Sequence, residues 1–267
     1  MTLPRLHLFE LEDQSWLPAI VRNQATDYLR FIQTTFRLHR PIVPILAEAL
    51  RATESDQIID LCSGGGGPVV EIQRALSRAG LERCIILTDR FPNLHAFQQI
   101  EKASSGQIRF VRESVDARSV PRALKGLRTI FNSFHHFDEP DAKNVLGDAV
   151  KARQPIAIFE YPERTLLIVF LTAILTPFLI ALATPFIRPF RWSRLFFTYA
   201  LPLVPLTCWW DGIVSQLRAY TLDQLQSLTN DPTCRCYDWR TGKIALPKSP
   251  GHLTYLVGYP RSNQLSG

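Results

Sequence analysis

Apolar residues first recur at helical spacing, with Ile20, Tyr28, Phe31, Ile32 and Phe36 predicting a helix over Leu17–Phe36 and a second helix following at Pro41–Ala52. Short, continuous apolar runs come next. They predict strands at Gln57–Leu61, Cys84–Thr88, Ile108–Arg112, Thr129–Phe134 and Pro155–Phe159. Helices are expected at Pro68–Ala79, Leu94–Ala103 and Asp141–Ala152, the first punctuated by Pro68 in its opening turn and Gly80 at its end. Strands that are apolar throughout, separated by helices, imply a doubly wound, mainly parallel α/β sheet covered on both faces. A helix at Thr221–Leu228 and strands at Arg235–Trp239 and Leu253–Tyr259 are expected to complete the sheet, ending in an antiparallel strand. The loop between those strands is placed around Thr241-Gly242 and Pro250-Gly251. The plan is thus an N-terminal helical cap (1–55), an α/β core (56–162), an apolar insertion (163–210) and a C-terminal completion of the sheet (211–267).

The insertion breaks the soluble pattern. The 23 residues between Arg164 and Arg188 carry no charge, and at about 1.5 Å per residue such a helix matches a bilayer core of about 30 Å. A second uncharged stretch, Leu195–Trp210, follows Arg188, Arg191 and Arg194. One crossing would strand the last β-segments on the wrong side of the membrane. Two would leave three arginines at a translocated tip, against the positive-inside tendency, and Pro177, Pro185, Pro202 and Pro205 interrupt both segments. A lid dipping into one leaflet, with its arginines at the headgroups, satisfies both constraints. A pair of true spans and a soluble apolar cap are the other readings.

Composition narrows the setting. The chain of 267 residues is 46% hydrophobic and 20% charged, which excludes a disordered or fibrous protein. A net charge of +6 without a long basic run gives no nucleic-acid tail, whereas an anionic membrane surface suits the arginine cluster. Five cysteines without a CxxC pair argue against a disulfide framework or a zinc site and for a reducing compartment. The N-terminal stretch holds acidic residues and no apolar run, so no signal peptide is expected. The expected location is the cytoplasmic side of a membrane, peripheral or monotopic.

The chemistry concentrates where the first strand runs through Asp60-Leu61-Cys62-Ser63-Gly64-Gly65-Gly66-Gly67-Pro68 into a helix. Glycines here permit positive φ and close approach of a ligand, and the helix start offers N–H groups and positive potential. In a doubly wound sheet this is where a nucleotide-like ligand lies. A dinucleotide fingerprint fails, because Val69 or Val70 occupies the third glycine position, and no lysine between 52 and 101 completes a P-loop. Asp89, ending the second strand, can accept two ribose hydroxyls.

This constellation resembles the class I S-adenosylmethionine-dependent methyltransferases, whose fold is Rossmann-like. The resemblance covers 56–162 and, more weakly, the chain to 259. Asp60-x-Cys62-x-Gly64-x-Gly66 matches the family's first motif, with Cys62 where glycine is commoner. The resemblance implies S-adenosyl-L-methionine as cofactor. Asp60 would meet the methionine ammonium, and Cys62, Ser63, Gly64 and Gly66 would line the cofactor. Asp89, with Arg90 beside it, would hold the ribose, while Asp116 and Ala117 would meet the adenine. No metal is expected.

On the acceptor side, His135 and His136 follow the fourth strand and Glu160 ends the fifth. Either histidine could accept a proton near neutral pH or serve only as a cap or packing group. Glu160 reads as a pocket residue or as a partner for Arg164, and Asp211 as a rim carboxylate or a loop cap. Trp209, Trp210, Tyr28 and Phe31 could wall an apolar cavity or be plain core. The expected activity is methyl transfer, to oxygen or carbon, on a hydrophobic small molecule such as a lipid, quinone or isoprenoid. A membrane-associated scaffold or sensor that binds the cofactor without catalysis is the alternative, and an NAD(P) oxidoreductase is a more distant one.

Overall fold

The computed structural model describes residues 2–231, 234–246 and 249–261. Strands β1 (Gln57–Leu61), β2 (Cys84–Leu87), β3 (Ile108–Phe110), β4 (Leu127–Phe131), β5 (Ile156–Glu160), β6 (Tyr237–Ala245) and β7 (His252–Pro260) form one sheet in the order β3-β2-β1-β4-β5-β7-β6. The first five are parallel, and β7 pairs antiparallel to both β5 and β6. The chain is therefore a Rossmann-like, doubly wound α/β fold with an antiparallel final strand. All five residues of β4 and of β5 are buried, as strands covered on both faces must be.

Helices α1 (Ala19–Thr35), α2 (Ile42–Thr53), α3 (Val69–Arg78), α4 (Leu94–Ala103), α5 (Glu139–Ala152), α6 (Leu166–Ala183), α7 (Trp192–Leu195), α8 (Leu203–Arg218) and α9 (Leu222–Thr229) complete the chain. Apolar residues of α2, α3 and α4, among them Leu46, Leu76 and Phe97, pack with Ile58, Ile85 and Phe159 on one face of the sheet. Those of α5 and α9, such as Val145 and Leu225, pack with Ile59, Ile130 and Ile158 on the other. A third cluster joins α1, α6 and α8 through Val21, Tyr28, Ile180, Val204 and Cys208.

The structure corrects several boundaries. β4 ends at Phe131 rather than Phe134, because Asn132 adopts a left-handed φ of 53° and the chain turns into a short 3-10 helix at Phe134–His136. β6 runs straight through Thr241-Gly242, where a loop is expected from the sequence. Gly242 is tolerated in mid-strand because the Tyr255 ring lies across its open face and would collide with a Cβ. α8 crosses the boundary placed at 210, and the second uncharged stretch is not one helix but α7, a π-helical turn (Phe196–Ala200) and the start of α8. That fragmentation, with Asp211 and Arg218 buried in α8, removes the pair of spans. Among the described residues one apolar segment, Leu166–Phe186, is long enough to cross a membrane, and 11% of its most apolar 18-residue window is buried. Arg194 departs from the expected basic cluster: it is 2% exposed, and its guanidinium donates to Asp27 at 2.6 Å and to the carbonyls of Ile187 and Pro189. Arg188 and Arg191 remain exposed.

A buried cation lies in the middle of the sheet. Arg128 on β4 is 1% exposed and pairs with Asp148 of α5 at 2.9 Å. Removing one partner of a buried pair leaves an uncompensated charge and costs about 3–5 kcal/mol. Asp148→Ala is expected to lower the unfolding free energy by about that amount, read from the midpoint of a urea titration. A loss below about 1 kcal/mol would contradict this role.

Candidate active site

The carboxyl ends of β1, β2, β4 and β5 converge on the turn after Leu61. Cys62, Gly64, Gly66 and Gly67 all hold positive φ, at 56°, 52°, 83° and 38°. A Cβ on Gly66 would collide with the Ile100 side chain, and one on Gly65 with that of Thr26. No side chain caps the N-terminus of α3, and the Val69 N–H at its start donates to the Gly66 carbonyl of the turn at 3.1 Å. The shallow cleft here is lined by Asp60, Cys62, Ser63, Gly66, Gly67 and Phe131 among others. α1 stands over the turn through Thr26 and Gln33.

Beneath the turn, Asp60 is 2% exposed. Its two oxygens accept from Ser63 Oγ at 2.6 Å and Thr129 Oγ1 at 2.8 Å. Burial outweighs these hydrogen bonds and raises its carboxyl to about 7. An acid whose folded-state value exceeds its unfolded one stabilises the fold when protonated. That contribution is complete below about 4 and is lost as pH rises through 7. Urea unfolding of the ligand-free protein at pH 5, 6 and 7 is therefore expected to show stability falling by up to about 1.4 kcal/mol per pH unit through this group. Asp60→Asn should flatten the slope by that amount; an unchanged slope would contradict the assignment.

Asp89 accepts from the Gly64 N–H at 2.8 Å and the Phe91 N–H at 2.7 Å, so its carboxylate is tied to the glycine turn while remaining partly solvent-exposed. Arg90 is exposed, with its guanidinium 5.6 Å from the Phe91 ring. Asp116 is held by Arg118, which reaches it at 2.6 Å and Asp141 at 2.9 Å. The Arg118 hydrogen bond keeps the Asp116 carboxyl below its usual range. Ala117 turns its methyl into the core under β1 and β4. Burial, with Asp89 and Asp60 nearby, pushes the Cys62 thiol well up, so it packs rather than reacts.

On the other side of the cleft, Glu160 and the histidines form one network. Glu160 accepts from the Phe134 N–H at 2.7 Å and bonds His135 Nδ1 at 2.5 Å, which leaves Nε2 as the available atom of His135. Glu160 does not pair with Arg164, whose guanidinium instead donates to Gln224 at 3.0 Å. His136 Nδ1 meets Asp13 at 3.1 Å. Burial depresses His136, but the Asp13 hydrogen bond and the Glu10 charge prevail and raise it to about 9. Asp211 sits within α8 rather than in a loop. Its oxygens accept from the N–H groups of Leu11 at 2.5 Å and Glu12 at 3.0 Å, fastening the N-terminal strap across the histidines. Burial pushes its carboxyl to about 6. Arg218 donates to Glu10 at 3.1 Å and to the His136 carbonyl.

The aromatic residues serve packing. Trp209 and Trp210 donate to the carbonyls of Ala173 and Phe9, while Tyr28 and Phe31 pack between α1, α6 and α8. Sequence spacing could not reveal Glu10, Asp13, Arg218 or Gln33, because the strap and α1 reach the site from far along the chain. Gln33 is 8% exposed and its Oε1, which lies beside Gly67, has no protein partner.

No family model matches the sequence, and no curated protein matches it. Among solved structures, a Nostoc punctiforme protein provisionally assigned as an O-methyltransferase is 15% identical, with 87% of this chain and 59% of that one covered at a TM-score of 0.48. An O-methyltransferase family protein from Burkholderia thailandensis gives 16% identity, coverages of 91% and 63%, and a TM-score of 0.48. A Rhodobacter sphaeroides protein assigned among zinc-dependent alcohol dehydrogenases gives 12% identity, 90% and 98%, and 0.49. The chain thus spans about six tenths of the length of the first two. Identities of this size concern the course of the backbone, and no activity transfers with them.

Proposed function

We propose that the chain is an S-adenosylmethionine-dependent methyltransferase that works at a membrane surface on a hydrophobic small molecule of lipid, quinone or isoprenoid type. The observation that carries the reading is the glycine turn with Asp60 beneath it and the Asp89 carboxylate against Gly64. The fit is supported by the open space beside Gly64, where a Cβ would meet no other atom within 4 Å, and by the unpartnered Gln33 oxygen beside Gly67. Asp89 would exchange its backbone partners for the ribose hydroxyls, Asp60 would receive the methionine ammonium, and Asp116 and Ala117 the adenine. The turn carries no lysine or arginine to meet a pyrophosphate.

When bound, S-adenosylmethionine supplies an electrophilic methyl group on a sulfonium. The protein's part is alignment of donor and acceptor, which provides most of the rate in such displacements. An oxygen or acidic carbon must also lose a proton, and His135, oriented by Glu160, is the imidazole suited to that task, whereas His136, raised to about 9 by Asp13 and Glu10, already holds its proton near neutral pH. The hydrophobic acceptor is inferred from the insertion. Phe170 (60% exposed), Phe178 (71%), Leu182 (70%), Phe186 (65%) and Trp192 (77%) form an apolar face, next to exposed Arg188 and Arg191. An aromatic and aliphatic face bordered by arginines suits the headgroup region of one leaflet, with the sheet on the cytoplasmic side.

Incubation with methyl-labelled S-adenosylmethionine and a membrane lipid extract, followed by mass analysis, tests this reading. Label in an extractable lipid supports it. Cofactor binding without label in any fraction, unaffected by joint substitution of His135, His136 and Glu160, would favour the scaffold or sensor instead.

A further inference from the structure

Glu10 from the N-terminal strap meets His135 and His136 from the turn after β4, and one ligand-capable atom from each lies within 4.8 Å of the others. His135 Nε2 is 3.7 Å and His136 Nε2 3.4 Å from the Glu10 oxygens. The first separation is too long for a hydrogen bond and the second is at its limit. Both suit two ligands of one ion held at about 2.0–2.2 Å, which stand roughly 3.3 Å apart or slightly more. The remaining ring nitrogens are already committed: His135 Nδ1 to Glu160 at 2.5 Å and His136 Nδ1 to Asp13 at 3.1 Å. Metal-bound imidazoles characteristically give their other nitrogen to a carboxylate, which fixes the tautomer and aims the ligand atom. That arrangement occurs here twice, around a common point. Glu10 is 3% exposed and His135 1%, and Glu10 Oε1 is steadied by Arg218 Nη1 at 3.1 Å and Ser215 Oγ at 3.2 Å. Five carboxyl groups (Glu10, Glu12, Asp13, Glu160 and Asp211) gather at this spot against Arg5, Arg218 and the protonated His136, so a divalent ion that displaces the His136 proton is accommodated.

We propose that Glu10, His135 Nε2 and His136 Nε2 form a binding site for a divalent first-row transition metal, with zinc the best match to two imidazoles and one carboxylate. Three protein ligands leave a coordination position for water or an acceptor oxygen. The inference deepens the acceptor side of the proposed function and rests on it for the metal's use: an acceptor hydroxyl bound to the metal would be more acidic and would give its proton to solvent water instead of to a free imidazole. Binding of the metal itself does not depend on the cofactor.

The test uses full-length protein stripped of metal and free of S-adenosylmethionine, titrated with Co²⁺ and then with Zn²⁺. One equivalent of Co²⁺ with visible ligand-field absorption, displaced by Zn²⁺, is expected. His136→Asn, at a partly exposed position, and Glu10→Gln should each weaken Co²⁺ binding at least about tenfold, while Cys84→Ser should not. Circular dichroism and thermal unfolding establish that each variant is folded. Absence of one-equivalent binding by the wild type, or undiminished affinity in folded His136→Asn, overturns the site. S-adenosylhomocysteine calorimetry on the same preparation separates the two readings. Metal binding without nucleoside binding retains the site and removes the methyltransferase assignment; the reverse removes the site alone.

Discussion

Replacing Asp89 by alanine is expected to weaken S-adenosylhomocysteine binding by roughly a hundredfold or more. The carboxylate follows β2 and lies against the glycine turn, and its partners are the N–H groups of Gly64 and Phe91. Two hydroxyls of a ribose would take two hydrogen bonds to a charged acceptor, each contributing about 1.5–3 kcal/mol. Together they amount to about 3 kcal/mol at least, or two decades in affinity. Asp89→Asn keeps the shape and part of the hydrogen bonding, so it should fall between the wild type and the alanine variant. Calorimetric titration of the three proteins reads the series. Equal affinities would place the ribose elsewhere.

The second large effect concerns the insertion. Phe178→Glu combined with Leu182→Glu is expected to reduce binding to vesicles containing anionic lipid by roughly a hundredfold or more, with little change in thermal stability. The two side chains are 71% and 70% exposed, so the fold loses few contacts when they are replaced. Burying one such side chain away from water is worth about 1.5–3 kcal/mol, and two give about 3 kcal/mol or more, apart from the added repulsion by anionic headgroups. Co-sedimentation with vesicles measures the partition. A wild type that stays in solution, or a double variant that sediments equally well, would contradict membrane docking by this face.

Much of the fold is legible in the sequence because local physics decides it. The buried strands β1 and β5 carry short apolar runs, Ile58-Ile59 and Ile156–Phe159, that stand out in the sequence, and Pro68 and Gly80 mark α3 because neither suits a helix interior. The boundaries that fail are those set by distant partners. β4 stops early because Glu160, from the neighbouring strand, takes the Phe134 N–H. β6 passes through Gly242 because Tyr255 on β7 covers it. The proposed cofactor side of the site is likewise contiguous: Asp60, Ser63, Gly64 and Gly66 lie on one turn, and Asp89 follows the adjacent strand. The acceptor side is not. Glu10, Asp13, Arg218 and Asp211 gather around the histidines only after the strap folds back across the sheet, and no short-range spacing records that. Arg194 makes the same point, since its buried pairing with Asp27 is invisible in a run that reads as a surface basic cluster.

The central claim is that the turn after Leu61 receives an adenosyl sulfonium rather than a pyrophosphate. The most direct measurement is calorimetry of the wild-type protein against S-adenosylhomocysteine and, separately, NADH. One equivalent of S-adenosylhomocysteine with no heat from NADH is the expected result. Binding of NADH alone, or of neither ligand, would contradict it.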